Sequence, residues 1–195
     1  MREAEIKSYA KLNELAEQGG IVIFGCGEDK NIPTGEISQA LALEQKLYNR
    51  SFINLSVTEA LNLYEKVIAP INPETVLLHI GEADLANFQE NPTEFDKEYL
   101  KLIKFIKAQN ENCRIAVVSL KNFESKPNFA ELNRHLKHLA DSEKCEYGDI
   151  SAKKVWSPKA SMEAAAFVYS MGFIRPLKNK RPLYDLIKIL FCYEA

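Results

Sequence analysis

Along this chain the apolar positions switch between continuous short runs and helical spacing. Ile21-Val-Ile-Phe24 is an unbroken apolar run between Gly19-Gly20 and Gly25-Cys-Gly27, the pattern of a parallel strand buried on both faces. Before it, residues 2–18 have helical spacing, with Ile6, Tyr9, Ala10, Leu12, Leu15 and Ala16 on one side and Gly19-Gly20 as the stop. After it, Thr34–Leu47 reads as a helix, with Thr34 as its cap and Ile37, Leu41, Ala42 and Leu47 facing inward. The alternation continues with a strand over Ser51–Leu55, a helix over Thr58–Ile68 and a strand over Thr75–Ile80 that ends at Gly81. Then come a helix over Phe95–Ala108 with Tyr99, Leu100, Leu102, Ile103 and Ile106 to bury, a strand over Arg114–Leu120 and a helix over Phe129–Ala140. A strand over Glu146–Ile150 and a helix over Met162–Ser170 complete the series.

Strands and helices in this order predict βαβ units, hence a parallel sheet whose right-handed crossovers place helices on both faces. The predicted architecture is an α/β three-layer sandwich around a five-stranded parallel sheet. One domain is expected over residues 1–195: an N-terminal helix (1–19), a core (20–174) and a tail (175–195). The tail opens on the basic, turn-like Arg175-Pro-Leu-Lys-Asn-Lys-Arg-Pro182. It continues as a strongly apolar helix over Leu183–Tyr193. That helix could cover the sheet, which is the favoured placement, or present Leu186, Ile189, Leu190 and Tyr193 to a second copy as a homo-oligomer contact.

Composition narrows the partners. A net charge of −2 gives no electrostatic reason to expect nucleic acid or an anionic membrane. No apolar run reaches the roughly 18 residues a spanning helix needs. The first residues lack the apolar core of a secretion signal, so the expected compartment is the cytoplasm. Cys26, Cys113, Cys145 and Cys192 form no Cys-x-x-Cys pair and have no histidine at ligand spacing. They read as reduced thiols; Cys113 and Cys145 each sit just before an apolar strand-like run and could be neighbours in the fold, with two separate reduced thiols the favoured reading. No metal and no cofactor is expected. His135 and His138 lie three apart on a helix with no carboxylate or thiol ligand indicated beside them, and read as a solvated face.

In open α/β sheets ligands sit at the carboxyl ends of the strands. That rule selects Cys26, Gly27, Glu28 and Asp29 after the first strand, Ser56 after the second, and Glu82 and Asp84 after the third. The acidic residues could hold a hard cation or hydrogen-bond sugar hydroxyls. Solvated loop carboxylates, with Asp84 in a structural role, are the plainer alternative. Trp156 could stack on a sugar ring, and Lys159 or Ser161 could hold an acyl or carboxylate group. Equally, Trp156 could cap the core.

Three blocks in order resemble the SGNH (GDSL-like) hydrolases: Ile21-Val-Ile-Phe-Gly25, Phe52-Ile-Asn-Leu-Ser56 and Asn72-Pro-Glu-Thr-Val-Leu-Leu-His-Ile-Gly-Glu-Ala-Asp-Leu85. The helix Glu131–Ala140 also fits, and the resemblance spans roughly residues 20 to 174. It implies a flavodoxin-like sandwich and a family of esterases and lipases, many of which remove acetyl groups from sugars. Carried over by position, the family's nucleophilic serine falls on Gly27, its oxyanion glycine on Ser56 and its oxyanion asparagine on Ala83. Its Asp-x-x-His pair falls on Lys159 and Met162. No serine occurs between Ser8 and Ser38, and no histidine follows His138. Loss of a single oxyanion donor costs on the order of a hundredfold in rate, and here nucleophile, base, acid and donor all depart from the pattern.

The expectation is therefore a divergent SGNH-like protein without the standard serine-esterase machinery, binding a small polar ligand such as a sugar or acylated sugar at Cys26, Gly27, Glu28, Ser56, Glu82, Asp84, Trp156 and Lys159. A protein-interaction role is also open. One alternative is an acylhydrolase in which Cys26 has taken over as nucleophile, with its thiol pKa lowered by nearby N–H groups. Against it, the carboxylates oppose a thiolate. His79 would also lie about three residues deeper on its strand, roughly 10 Å away at strand rise. The other alternative is nucleotide binding at Gly25-Cys-Gly27. Lys30 stands where a third glycine belongs, and Asn54-Leu-Ser56 offers no acidic residue after the second strand.

Overall fold

A computed structural model describes residues 2–121, 128–151 and 180–191. Five parallel strands form one sheet in the order β2-β1-β3-β4-β5. They are β1 (Ile21–Gly25), β2 (Leu47–Asn49), β3 (Thr75–His79), β4 (Arg114–Val118) and β5 (Glu146–Gly148). The helices are α1 (Arg2–Asn13), α2 (Thr34–Ala40), α3 (Val57–Leu63), α4 (Leu85–Glu90), α5 (Pro92–Gln109), α6 (Ala130–Ser142) and α7 (Lys180–Phe191). The fold class read from the sequence is the one observed.

The continuous apolar runs are explained by what lies on either side of the sheet. Val22, Phe24, Val76, Leu78, Ile115 and Val117 pack with residues of α3, α5 and α6. Ile21, Ile23, Leu77, Ala116 and Val118, which alternate with them, pack instead with Leu183, Leu186, Ile187, Leu190 and Phe191 of α7. Every residue of β1 and β3 is buried. On the first face, edge-to-face rings run from Tyr9 of α1 through Phe52 and Phe24 to Tyr64, with centroids 5.2, 6.4 and 6.1 Å apart.

Two boundaries differ from the sequence reading, for one reason. The second strand is Leu47–Asn49, not Ser51–Leu55, and the helix before it stops at Ala40 rather than Leu47. Ala42 takes a left-handed φ of 46°, which a helix cannot continue through. The chain then joins β1 with Leu47 paired to Ile21 and Asn49 to Ile23. Beyond that the ladder ends, because the Gly25 N–H donates to the Ser51 hydroxyl at 3.1 Å instead of to a carbonyl. Only a single bridge, Cys26 to Phe52, follows before Asn54 turns with a φ of 51°. Thr34 is the first helical residue of α2, and Pro33 occupies the cap position without a side-chain bond.

The first helix also departs from its predicted stripe. It ends at Asn13, buries no residue fully, and leaves Leu12 and Leu15 47% and 85% exposed. Polar contacts hold it in place. Tyr9 donates to the Ser51 carbonyl at 2.6 Å, Arg2 donates to the Ile53 and Asn54 carbonyls, and Asn13 Oδ1 accepts from the buried Arg50 guanidinium. The expected helix over Thr58–Ile68 is α3 followed by a wider π turn over Tyr64–Ile68. The expected helix over Met162–Ser170 lies outside the described residues. No described helix is long and apolar enough to cross a membrane.

Because α7 packs on the second face, together with Ile37 and Leu41 among the described residues, truncating it should cost as much as truncating a core strand. Leu186→Ala is expected to lower unfolding stability by about 2–4 kcal/mol, measured by urea denaturation. A loss below about 0.5 kcal/mol, the usual effect of a surface change, would show that α7 does not pack there.

Candidate active site at the carboxyl edge of the sheet

The register between β1 and β3 sets the geometry of the rim. Gly25 pairs with His79, so the last residues of the two central strands stand side by side. After Gly25 the chain makes a single tight turn over Gly27–Asn31. This turn brings the Asp29 carboxylate back over the strand end, where Oδ2 accepts from the Cys26 N–H at 3.1 Å. The same oxygen meets His79 Nδ1 at 2.6 Å. Both side chains are about nine-tenths buried. A carboxylate can only accept, so Nδ1 carries a proton, and in the neutral ring Nε2 is then the nitrogen with the lone pair. Nε2 is buried and has no hydrogen-bond partner. Phe191 of α7 packs edge-on against the imidazole at 4.7 Å.

Gly25 is required here for space. A Cβ at this position would stand 2.1 Å from Asp29 Oδ2 and displace the carboxylate. Gly27 takes a left-handed φ of 61°, which glycine adopts without steric cost. A Cβ there would also come within 3.2 Å of Glu82 Oε2. A cleft of about 60 Å³ opens at this edge, lined by Cys26, Glu28, Asp29, His79, Glu82, Leu120, Lys121 and Phe129.

The structure thus gathers Cys26, Glu28 and Glu82 around the cleft, with Gly27 in the turn beside it. Ser56 starts α3, and its hydroxyl is engaged with Thr58 at 3.0 Å and Glu59 at 3.3 Å; it is not among the cleft-lining residues. Trp156, Lys159 and Ser161 lie outside the described residues. Asp84 is 2% exposed and turns inward, where both carboxylate oxygens accept from the Val57 N–H at 3.1 Å. It therefore ties the loop after β3 to the start of α3. Burial pushes its carboxyl up to about 6, against the pull of the Val57 hydrogen bond.

His79 and Asp29 are where the sequence reading needs correction. His79 is level with Gly25, one residue before Cys26, not three residues deeper. Asp29 is buried and engaged rather than a solvated loop carboxylate. The available signal was a histidine after the apolar run Val76-Leu-Leu78, which needs a polar partner if both faces are covered. His135 also differs from expectation, because Asp96 of α5 faces its Nδ1 at 2.9 and 3.0 Å. Among the described residues no three metal-ligating side chains converge.

Cys26 is a poor nucleophile in this setting. Burial pushes its thiol up to about 11, and the charges of Glu82 and Asp29 add to the rise, while the backbone amides of Leu55 and Ala83 oppose it. The thiol is therefore protonated at neutral pH. Cys113 and Cys145 are free thiols as well. Burial lifts Cys113 to about 12, with a further push from Cys145.

No family model matches the sequence and no curated relative does. Solved structures do match the fold. A GDSL-like lipase from Bacteroides thetaiotaomicron superposes with a TM-score of 0.60 at 15% identity, covering 74% of this chain and 77% of the other. An acetyl xylan esterase superposes at 0.55 and 15% identity, covering 87% and 97%. AlinE4, an SGNH-hydrolase family esterase, superposes at 0.53 and 15% identity, covering 89% and 93%. The chain has the fold of the SGNH hydrolases.

Asp84 supplies a test of the rim's electrostatics. Its folded carboxyl titrates above the ordinary value of 3.8, so the folded state holds the proton more tightly than the unfolded chain. The cost of its charge is absent below about pH 4 and appears as pH rises through about 6. Asp84→Asn should therefore gain on the wild type by about 1–2 kcal/mol between pH 4 and pH 7.5, read from paired denaturation curves. A difference independent of pH would mean that Asp84 is not buried as described.

Proposed function

We propose that this chain is a divergent protein of the SGNH fold that binds a small polar ligand at the carboxyl edge of its sheet and does not hydrolyse esters by the serine route. The observation that carries this reading is Gly27. It stands where the family places its nucleophile, in a left-handed turn where even a Cβ would come within 3.2 Å of Glu82 Oε2. Ala83 at the oxyanion position has no side-chain donor, and no histidine in the sequence follows His138. The retained features support binding: a loop pinned by Asp84 and a polar cleft beside Cys26. The sugar esterases of this fold make a sugar or acylated sugar the first ligand class to try.

A second reading keeps acyl chemistry and moves it to Cys26. His79, lining the same cleft, is the observation in its favour. The elevated thiol pKa weighs against it, since the thiolate is the reactive form.

The deciding assay is turnover of nitrophenyl acetate and butyrate. The binding reading predicts rates at the buffer background. Weak turnover abolished by Cys26→Ala would favour the thiol reading. Strong turnover insensitive to Cys26→Ala would overturn the placement of the nucleophile position on Gly27.

A further inference from the structure

We infer that α1 is a releasable strap on the carboxyl edge of the sheet: it opens by itself while the core stays folded, and its docking restrains the turn that carries Asp29. This inference does not depend on the ligand-binding reading above.

The helix grips both loops that build the rim. On one side Glu5 pairs with Lys30, in the turn over Gly27–Asn31. On the other, Tyr9 donates to the Ser51 carbonyl, and Arg2 donates to the Ile53 and Asn54 carbonyls. These two loops are joined to each other between the grips. The Gly27 N–H donates to the Phe52 carbonyl at 3.2 Å, and the Gly25 N–H donates to the Ser51 hydroxyl at 3.1 Å. An element that holds both sides of this junction also holds the turn, and with it the Asp29 carboxylate.

The grip is polar, and what it covers is costly to cover. No residue of α1 is fully buried, and Ile6 and Tyr9 meet the core only in part. Arg50 is 5% exposed, with its guanidinium 5.3 and 5.5 Å from the ring centres of Tyr9 and Tyr48. It donates to Asn13 Oδ1 and to the Asn49 carbonyl, and no carboxylate among the described residues pairs with it. A buried cation without a counter-charge opposes the docked state, and release of α1 returns it to water. The opening has a fixed limit. The Gly19 N–H donates to the Ile71 carbonyl at 2.9 Å, and the Glu74 and Thr75 N–H groups donate to the Gly20 carbonyl at 3.0 and 3.1 Å. The chain is thus pinned just ahead of β1, and residues 14–18 are the pivot. A helix of 12 residues is too short to persist alone in water, so the released strap melts.

Residue-resolved hydrogen exchange on the full chain tests this. The amides of Ile6–Asn13, which lie past the first turn of α1, are expected to exchange at least about a hundredfold faster than those of β1 and β3. Tyr9→Phe keeps the ring and loses the bond to Ser51. It should speed exchange in α1 about fivefold, the worth of one net hydrogen bond, and speed the Gly27 and Asp29 amides with it, while β3 and β4 stay unmoved. Glu5→Gln, which removes the charge facing Lys30, should move the Gly27 and Asp29 amides in the same direction. Exchange of α1 at the rate of β1 and β3 would overturn the inference, because the helix would then open only with the whole fold. Gly27 and Asp29 amides unmoved by both variants would also overturn it, because α1 would then not restrain the turn.

Discussion

The pairing of Gly25 with His79 governs what the rim of this sheet can be. Two parallel strands in that register put a backbone without a side chain beside an imidazole. The missing Cβ is the space into which Asp29 folds. From this follow the short contact between Asp29 and His79, the use of the Cys26 amide as a second donor, and the burial of a carboxylate among apolar strand ends. A buried carboxylate survives only when it is hydrogen-bonded. Here the same oxygen takes both donors, and the turn that supplies Asp29 is the turn that sets Gly27 at positive φ. Position 27 is therefore held in a left-handed conformation that favours glycine by the turn that holds the acid–imidazole pair.

The two acidic residues of the rim illustrate opposite uses of burial. Asp29 meets a partner that can carry a proton. Asp84 meets only backbone, the Val57 N–H, and burial lifts its carboxyl to about 6. The first arrangement orients a side chain that faces the cleft. The second joins two loops and keeps the start of α3 against the third strand. The thiol of Cys26, beside Asp29 in the cleft, is kept neutral by the same low-dielectric surroundings.

The fold was legible because the strands buried on both faces are continuous apolar runs, and β1 and β3 kept nearly their predicted limits. The edge strand was not. Leu47 fits the helical period of the residues before it, and only the contact with Ile21 makes it a strand. The first helix misled in another way: polar anchoring by Tyr9, Asn13 and Arg2 sets its place, so Leu12 stays half exposed and Leu15, past the helix end, stands in solvent. Of the site, Cys26, Glu28, Glu82 and the inward role of Asp84 were within reach of the sequence, because each lies just past a strand end. The Asp29–His79 pair was not, since a contact between residues 50 apart depends on strand register. A slip of a few residues in that register moves the imidazole by about 10 Å.

The most direct test of this account is the protonation pattern of the His79 ring in uniformly nitrogen-15-labelled protein at pH 8, read from long-range proton–nitrogen correlations with His79→Phe for assignment. The account predicts a proton on Nδ1, shared with Asp29, and a bare Nε2. A proton on Nε2 with a bare Nδ1 would contradict it.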